Sequence, residues 1–462
     1  YDDSLVMNSI TETYHIAHDR IESFFPDATV RLPDFVVPAG TTATHALVNY
    51  ALEGLRGKGL NDDPEYLARL KQELDVIDDR GFSKYFLTMK AIADEATKQM
   101  LAGPGRGSAA GSLVAYCLGI TQVDPIRHGL LFSRFLRSDA TDYPDIDYDV
   151  SDSMVLKEKL VEMWGEDCVA PISNWNTLQL RSLIKDISKL YGIPFTEVNN
   201  VTSVMMREAM PEAKKKHAIK AGVYAPTWEE VMEYSVTLQS FLQKYPEVKA
   251  RVEGLVGQVR SCSRHAGGVV IAEDLDRSMP LINSGGVRQA PWAEGQNVRH
   301  LEPMGFIKFD LLGLSTLKMM EGCIEHILRR HYGVEEPTFE DVLDYYNKMI
   351  HPDVIDFDDQ EVYKNIFHQG KWAGVFQFTE QGAQSFCTRV QPTSIIDISA
   401  VTSIFRPGPL SAGVDADYME AKNHPQYVSY LSKESQEITG ETFGFLIFQE
   451  QIALLAHRLG GL

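Results

Sequence analysis

Apolar residues recur at helical spacing through residues 45 to 101, and DDPEYLARLKQELDVIDDRG is the clearest case, with Asp63 and Pro64 at its start and Gly81 at its stop. The pattern predicts amphipathic helices there. Residues 1 to 31 read as helical until Pro33 breaks the pattern, and residues 155 to 260 read as mostly helical. A shorter period appears in three places. Apolar runs between 129 and 150 predict strands, HAGGVVIAEDL predicts a strand entered through two glycines, and GFIKFDLLGLSTLKMMEGCIEHILRRHYG predicts a strand followed by a helix. From about 337 onward the pattern is helix and loop, interrupted by FRPGPL. No internal repeat or low-complexity tract appears. A chain of 462 residues with this mixture is expected to be a multidomain α+β protein of roughly three domains.

Composition narrows the class. Hydrophobic residues at 44% and charged residues at 23% are those of a globular protein, and no apolar run reaches a membrane span. No membrane association and a cytoplasmic location are the expectations. The five cysteines, Cys117, Cys168, Cys262, Cys323 and Cys387, contain no C-x-x-C pair, so neither a zinc site nor a disulfide framework is indicated. A net charge of -20 argues against a protein that coats nucleic acid nonspecifically, although a basic groove can hide inside an acidic total.

Three stretches carry chemistry. In TDYPDIDYDV, Asp145, Asp147 and Asp149 alternate, so an extended run would crowd three negative charges onto one face. Such a face is either a solvated strand edge or a place where divalent cations bind to oxygen ligands. In GFIKFDLLGL, Phe306, Lys308 and Asp310 share one face and Ile307 and Phe309 the other. The lysine and aspartate form a salt bridge, or they bring a third carboxylate to a metal site and a cation to a phosphate. The third stretch is GPGRGSAAGS. Gly103, Gly105 and Gly107 permit close backbone approach, and Ser108 is expected to cap a helix starting at Ala109, making an anion site. Tight packing through small residues explains the same glycines. No Walker A lysine follows. Together, a phosphate-cradling loop, a two-carboxylate strand and a distant third carboxylate suit two-metal phosphoryl transfer, in which cations cancel the repulsion.

The order of these elements resembles the bacterial replicative DNA polymerase III alpha subunit, the C-family polymerases. The stretches that carry the resemblance are GPGRGSAAGSLVAYCLGIT, LLFSRFL, PDIDYDV, SRHAGGVVIA, IKFDLLGLSTL, GVFQFTEQG, FRPGPL and IFQEQ, spread from about residue 101 to 451 in the family's order. The resemblance implies a nucleotidyltransferase palm like that of polymerase beta, with a mostly helical thumb and fingers. Residues 1–176, with N-terminal connecting helices, and 261–316 would form the palm, 177–260 the thumb and 317–462 an incomplete fingers region. It implies Asp145, Asp147 and Asp310 as catalytic metal ligands for two Mg2+ ions, with Mn2+ also suited to the site. Arg106, Gly107, Ser108, Arg134 and Lys308 would bind the incoming dNTP. Lys214, Lys215, Lys216 and Lys220 would grip the DNA backbone. Asp149 receives no catalytic role. His265 reads as a hydrogen-bonded palm histidine. The implied activity is template-directed DNA synthesis on primer-template DNA.

Departures from the family pattern stand beside it. Where the family has T-F-G-T and I-R-D, this chain has SNWNT at 173–177 and IKD at 184–186, and lysine lacks arginine's bidentate fork. The amino-terminal phosphoesterase domain and the later DNA-binding modules are expected to lie outside this chain. Further polymerase segments or a second chain, a sliding clamp and other replisome proteins are the implied partners, and a phage-encoded or otherwise divergent enzyme fits. The rival reading is a non-catalytic polymerase-like replisome subunit, or half of a split polymerase, that binds DNA or a partner chain.

Overall fold

Four strands far apart in sequence form one sheet. The computed structural model describes residues 3–21, 28–139, 143–217, 224–294, 299–411 and 413–461. The strands are β1 (Asp147–Val150), β2 (Val169–Thr177), β3 (Val259–Ile271) and, after the small hairpin β4 (Ile282–Ser284) and β5 (Val287–Gln289), β6 (Lys308–Gly313). Their order is β1-β6-β3-β2. Strands β1 and β6 run parallel with Asp147 opposite Asp310, and β3 runs antiparallel to β6 with Gly268 opposite Asp310. Two carboxylates and a glycine are thereby set side by side across three strands.

One face of the sheet is buried because its alternate residues are apolar. Tyr148, Val150, Val269, Ile271, Phe309 and Leu311 join a core built with α2 (Ala43–Gly57), α3 (Pro64–Asp79), α4 (Ser83–Ala96), α5 (Leu113–Cys117) and α6 (Ser153–Trp164). The helix α3 begins and ends as its pattern predicts, with the Asp63 side chain accepting from the Glu65 amide and Gly81 taking φ +71°. Near the amino terminus, α1 (Asp3–His15) has no buried residue.

Between β2 and β3 the chain forms α7 (Leu180–Leu190), α8 (Phe195–Lys216), α9 (Trp228–Tyr234), α10 (Val236–Lys244) and α11 (Pro246–Leu255). These helices enclose a core of their own, including Met205, Val231, Leu238 and Val248. Beyond β6, α12 (Leu275–Ser278) having preceded the hairpin, come α13 (Ser315–His331) and α14 (Phe339–Met349). They pack on Leu101 and are tied back by Tyr346 donating to Gln122 at 2.7 Å and by Glu321, whose carboxylate accepts from the Leu101 amide at 2.8 Å. The remaining helices are α15 (Gln360–Val362), α16 (Gln381–Val390), α17 (Ile395–Ile404), α18 (Pro407–Ser411), α19 (Val414–Asn423), α20 (Lys433–Thr439) and α21 (Gln449–Gly460). Of these, α16, α17 and α19 share a core with Phe378.

Two expectations are corrected. The region 129–146 holds no strand among its described residues. Phe132, Phe135 and Leu136 are buried at helical rather than alternating spacing, and a short 3-10 turn covers Phe132–Arg134. Ser108 is not a helix cap. Residues Gly107–Gly111 form a 3-10 turn, and the α5 cap is Ser112, whose side chain accepts from the Ala115 amide. The reason is tertiary: Ser112 also donates to the buried Glu73 at 3.0 Å, so the helix starts where that carboxylate holds it.

Candidate active site

Asp310 enters the site from β6, Asp147 from the first residue of β1, and Asp145 from the segment just before it. Asp145 is kept out of the strand because the Ile146 amide donates to the buried Tyr85 hydroxyl at 3.0 Å rather than to a neighbouring strand. One oxygen from each of the three carboxylates lies within 4.8 Å of the others, with Asp145 exposed, Asp147 half-buried and Asp310 buried. Lys308 stands on the same face, its Nζ 2.8 Å from Asp310 Oδ2. The other oxygen, Asp310 Oδ1, is buried without a hydrogen-bond partner.

Charge accumulates here at a cost. Although Asp145 is exposed as a residue, loss of solvent around its carboxyl and then the neighbouring Asp310 charge hold it above its usual range, against the pull of Lys308. Burial and Asp310 do the same to Asp147, opposed by Arg106. Burial alone would lower Lys308, but its bond to Asp310 and the three carboxylates outweigh it and the ammonium is held above its usual value. A buried carboxylate oxygen with no donor is an unmet acceptor that a divalent cation satisfies. With the three oxygens within 4.8 Å of one another the donor set fits, and Asp145, Asp147 and Asp310 are the residues that could hold metal.

The glycine loop lies against these acids. A Cβ on Gly107 would sit 3.7 Å from Asp147 Oδ2, and Gly107 itself takes φ +64°. Arg106 donates from Nη1 to Asp149 Oδ1 at 3.0 Å, and its Nε stands 3.9 Å from Asp147 Oδ2. Beneath the loop, Glu73 accepts from Arg69 Nε at 2.6 Å, from Ser112 Oγ and from the Val114 amide at 3.0 Å. Arg69 in turn donates to the Gly111 carbonyl at 2.8 Å. Behind β6, half-buried His265 accepts at Nδ1 from the amides of Gly267 and Gly268, the latter at 2.7 Å. Burial lowers its pKa, while the Asp310 charge works the other way.

Residues 45–313 match the family described as bacterial DNA polymerase III alpha NTPase domain, and residues 336–462 match the bacterial DNA polymerase III alpha subunit finger domain. This chain belongs to the bacterial DNA polymerase III alpha family. Among relatives named DNA polymerase III subunit alpha, that of Aquifex aeolicus is 32% identical across 98% of this chain and 39% of its own length. That of Bacillus subtilis is 32% identical across 93% of this chain and 36% of its own, and that of Mycobacterium tuberculosis is 31% identical across 96% and 37%. The chain thus spans less than two-fifths of the length of these relatives.

Of the residues singled out in the polymerase III alpha pattern, the fold gathers Asp145, Asp147, Asp310, Lys308, Arg106 and Gly107 in one place. Ser108 follows on the same 3-10 turn, half-buried. Arg134 is instead paired with Glu450 of α21, 316 residues away in sequence. Lys214, Lys215 and Lys216 end α8 in the separate helical unit, where Lys215 meets Glu212 at 3.0 Å and Lys216 meets Glu233 at 3.3 Å. Lys220 lies outside the described residues. In the IKD triplet, Lys185 donates to Asn199 at 2.8 Å and Asp186 pairs with Arg260 at 3.3 Å. Glu73, Arg69, Glu450 and the use made of Asp149 were not foreseen from the sequence. Asp149 alone carried a visible signal, since it continues the acidic alternation.

Proposed function

We propose that this chain carries the catalytic centre of a template-directed DNA polymerase that transfers a nucleotidyl group from a dNTP to the 3'-hydroxyl of a primer on template DNA. The observation that carries this is the convergence of Asp145, Asp147 and Asp310 from separate segments within 4.8 Å, beside Lys308 and the glycine loop. Bound divalent cations, two Mg2+ or Mn2+ ions held by these three carboxylates, would supply hydroxyl activation and charge neutralisation at the leaving oxygen. Lys308 and Arg106 add fixed positive charge where triphosphate oxygens would lie, and Gly107 and Ser108 let the backbone approach them. Arg134 would join them on release from Glu450.

The sheet shared by residues up to 177 and from 259 onward supports a palm made of 1–176 and 261–316, with the helical unit of 177–260, which has a core of its own, as thumb and 317–462 as fingers. Lys214, Lys215 and Lys216, with Lys220, would meet the duplex backbone by displacing counterions. Further polymerase segments or a second chain, a sliding clamp and other replisome proteins complete the proposed assembly. No helix among the described residues is long and apolar enough to cross a membrane.

Single-nucleotide extension of a labelled primer tests the reading. Incorporation by this chain is expected to disappear in Asp145→Asn and in Asp310→Asn, with unchanged circular dichroism. Retained incorporation in either variant would remove that residue from the catalytic set.

A further inference from the structure

We propose that Asp149 is a positioning residue that seats Arg106 and the glycine loop for triphosphate binding, a role that rests on the polymerase reading above and extends it beyond the three metal-binding carboxylates. Asp149 is buried on β1, and one residue holds the loop at two points. Its main-chain carbonyl accepts from the Gly103 amide at 2.8 Å, while its Oδ1 accepts from Arg106 Nη1 at 3.0 Å. The approach is too close for a larger residue on the loop, because a Cβ on Gly103 would lie 2.9 Å from the Asp149 Cβ. The Ser151 amide donating to the Leu101 carbonyl at 3.0 Å and the bridge between Ala102 and Val150 continue the seam.

This seam fixes a side chain that would otherwise sample many rotamers. Arginine surrenders much conformational freedom when it binds an anion, and holding it beforehand moves that loss from the binding step to folding. The Asp149 bond engages Nη1, and a guanidinium has further N–H groups with which to meet phosphate oxygens. In its seat Arg106 also stands 3.9 Å from Asp147, close enough to offset that carboxylate's charge. The third acid of the alternating run thus acts through a cation rather than on a metal.

Two readouts decide the matter. Amide hydrogen exchange across residues 101–112, without ligand, is compared among wild type, Asp149→Asn and Gly103→Ala. Exchange about tenfold faster in both variants is expected, and unchanged exchange in both would overturn the anchoring. In primer extension, Asp149→Asn is expected to raise the dNTP KM about tenfold, the scale of one hydrogen bond to a charged group, with kcat moving by less than about threefold. In an Arg106→Gln background the same change should have no further effect. Equal losses in both backgrounds, or a fall in kcat at constant KM, would overturn the positioning role. A wild-type chain that extends no primer, either alone or together with the remaining polymerase segments, would instead sink the polymerase reading, and the exchange rates would still decide whether Asp149 anchors the loop.

Discussion

Replacing Asp145 by asparagine should stabilise the metal-free protein while removing its activity. At the 4.8 Å that bounds the carboxylate oxygens, two unit charges repel by about 0.9 kcal/mol in water and about 3.5 kcal/mol at an effective dielectric of 20. Asp145 is exposed, so solvent screens the interaction towards the lower figure, and Lys308 returns part of it by attraction. A net gain of at most about 1 kcal/mol remains, equivalent to no more than roughly 2–4 °C in Tm for a domain of this size. The pH dependence has a definite sign. Because the folded-state pKa of Asp145 is raised, its ionisation costs stability above that pKa, and the cost vanishes as the pH falls through it. The variant should therefore exceed wild type in Tm at neutral pH in EDTA, and the difference should shrink on acidification. Differential scanning fluorimetry with and without Mg2+ reads both effects, since Mg2+ should raise the wild-type Tm and leave the variant nearly unmoved. A variant less stable than wild type in EDTA at neutral pH would show that Asp145 carries no repulsion cost in the folded chain, and one that gains as much from Mg2+ as wild type would show that Asp145 does not hold the ion.

Other perturbations report on how the site is held. Glu73→Ala leaves Arg69 and the Val114 amide without their buried partner and should cost about 3–5 kcal/mol in urea denaturation. Gly54→Ala would place a methyl group 1.9 Å from the Cys117 carbonyl oxygen, where α2 crosses α5, and should cost about 3 kcal/mol or more by the same measurement. In the region of α16 to α19, burial alone would raise the pKa of Asp397, but its 2.6 Å pair with Lys422 and its bonds to Thr393 outweigh burial and hold it low. A lowered folded-state pKa means that this stabilisation is present at neutral pH and lost below about pH 4, as the pH falls through the lowered value. Asp397→Asn should lower stability at pH 7 by roughly 3 kcal/mol and flatten that acid limb in a pH series of denaturation midpoints.

Much of the site was legible because it is local. The alternation of Asp145, Asp147 and Asp149 and that of Lys308 and Asp310 follow from the two-residue period of strands, and β6 puts Lys308 and Asp310 on one face as that period requires. Capping was legible at Asp63, where the bond is to a residue two positions on, and not at Ser108. There the start of α5 depends on Glu73, 39 residues earlier, and no local rule announces such a partner. The same holds for Arg134, whose pairing with Glu450 spans the chain. The failed strands of 129–146 have a plainer cause. An apolar run is ambiguous between periods, and burial at Phe132, Phe135 and Leu136 follows the helical one.

Asp145, Asp147 and Asp310 are proposed to stay together against their own repulsion because divalent cations join them. Titration of the chain with Mn2+, followed by electron paramagnetic resonance, tests it most directly. Two bound ions per chain in wild type, with the binding lost in Asp310→Asn, is the predicted result. Binding that is absent in wild type, or that survives unchanged in the variant, would contradict it.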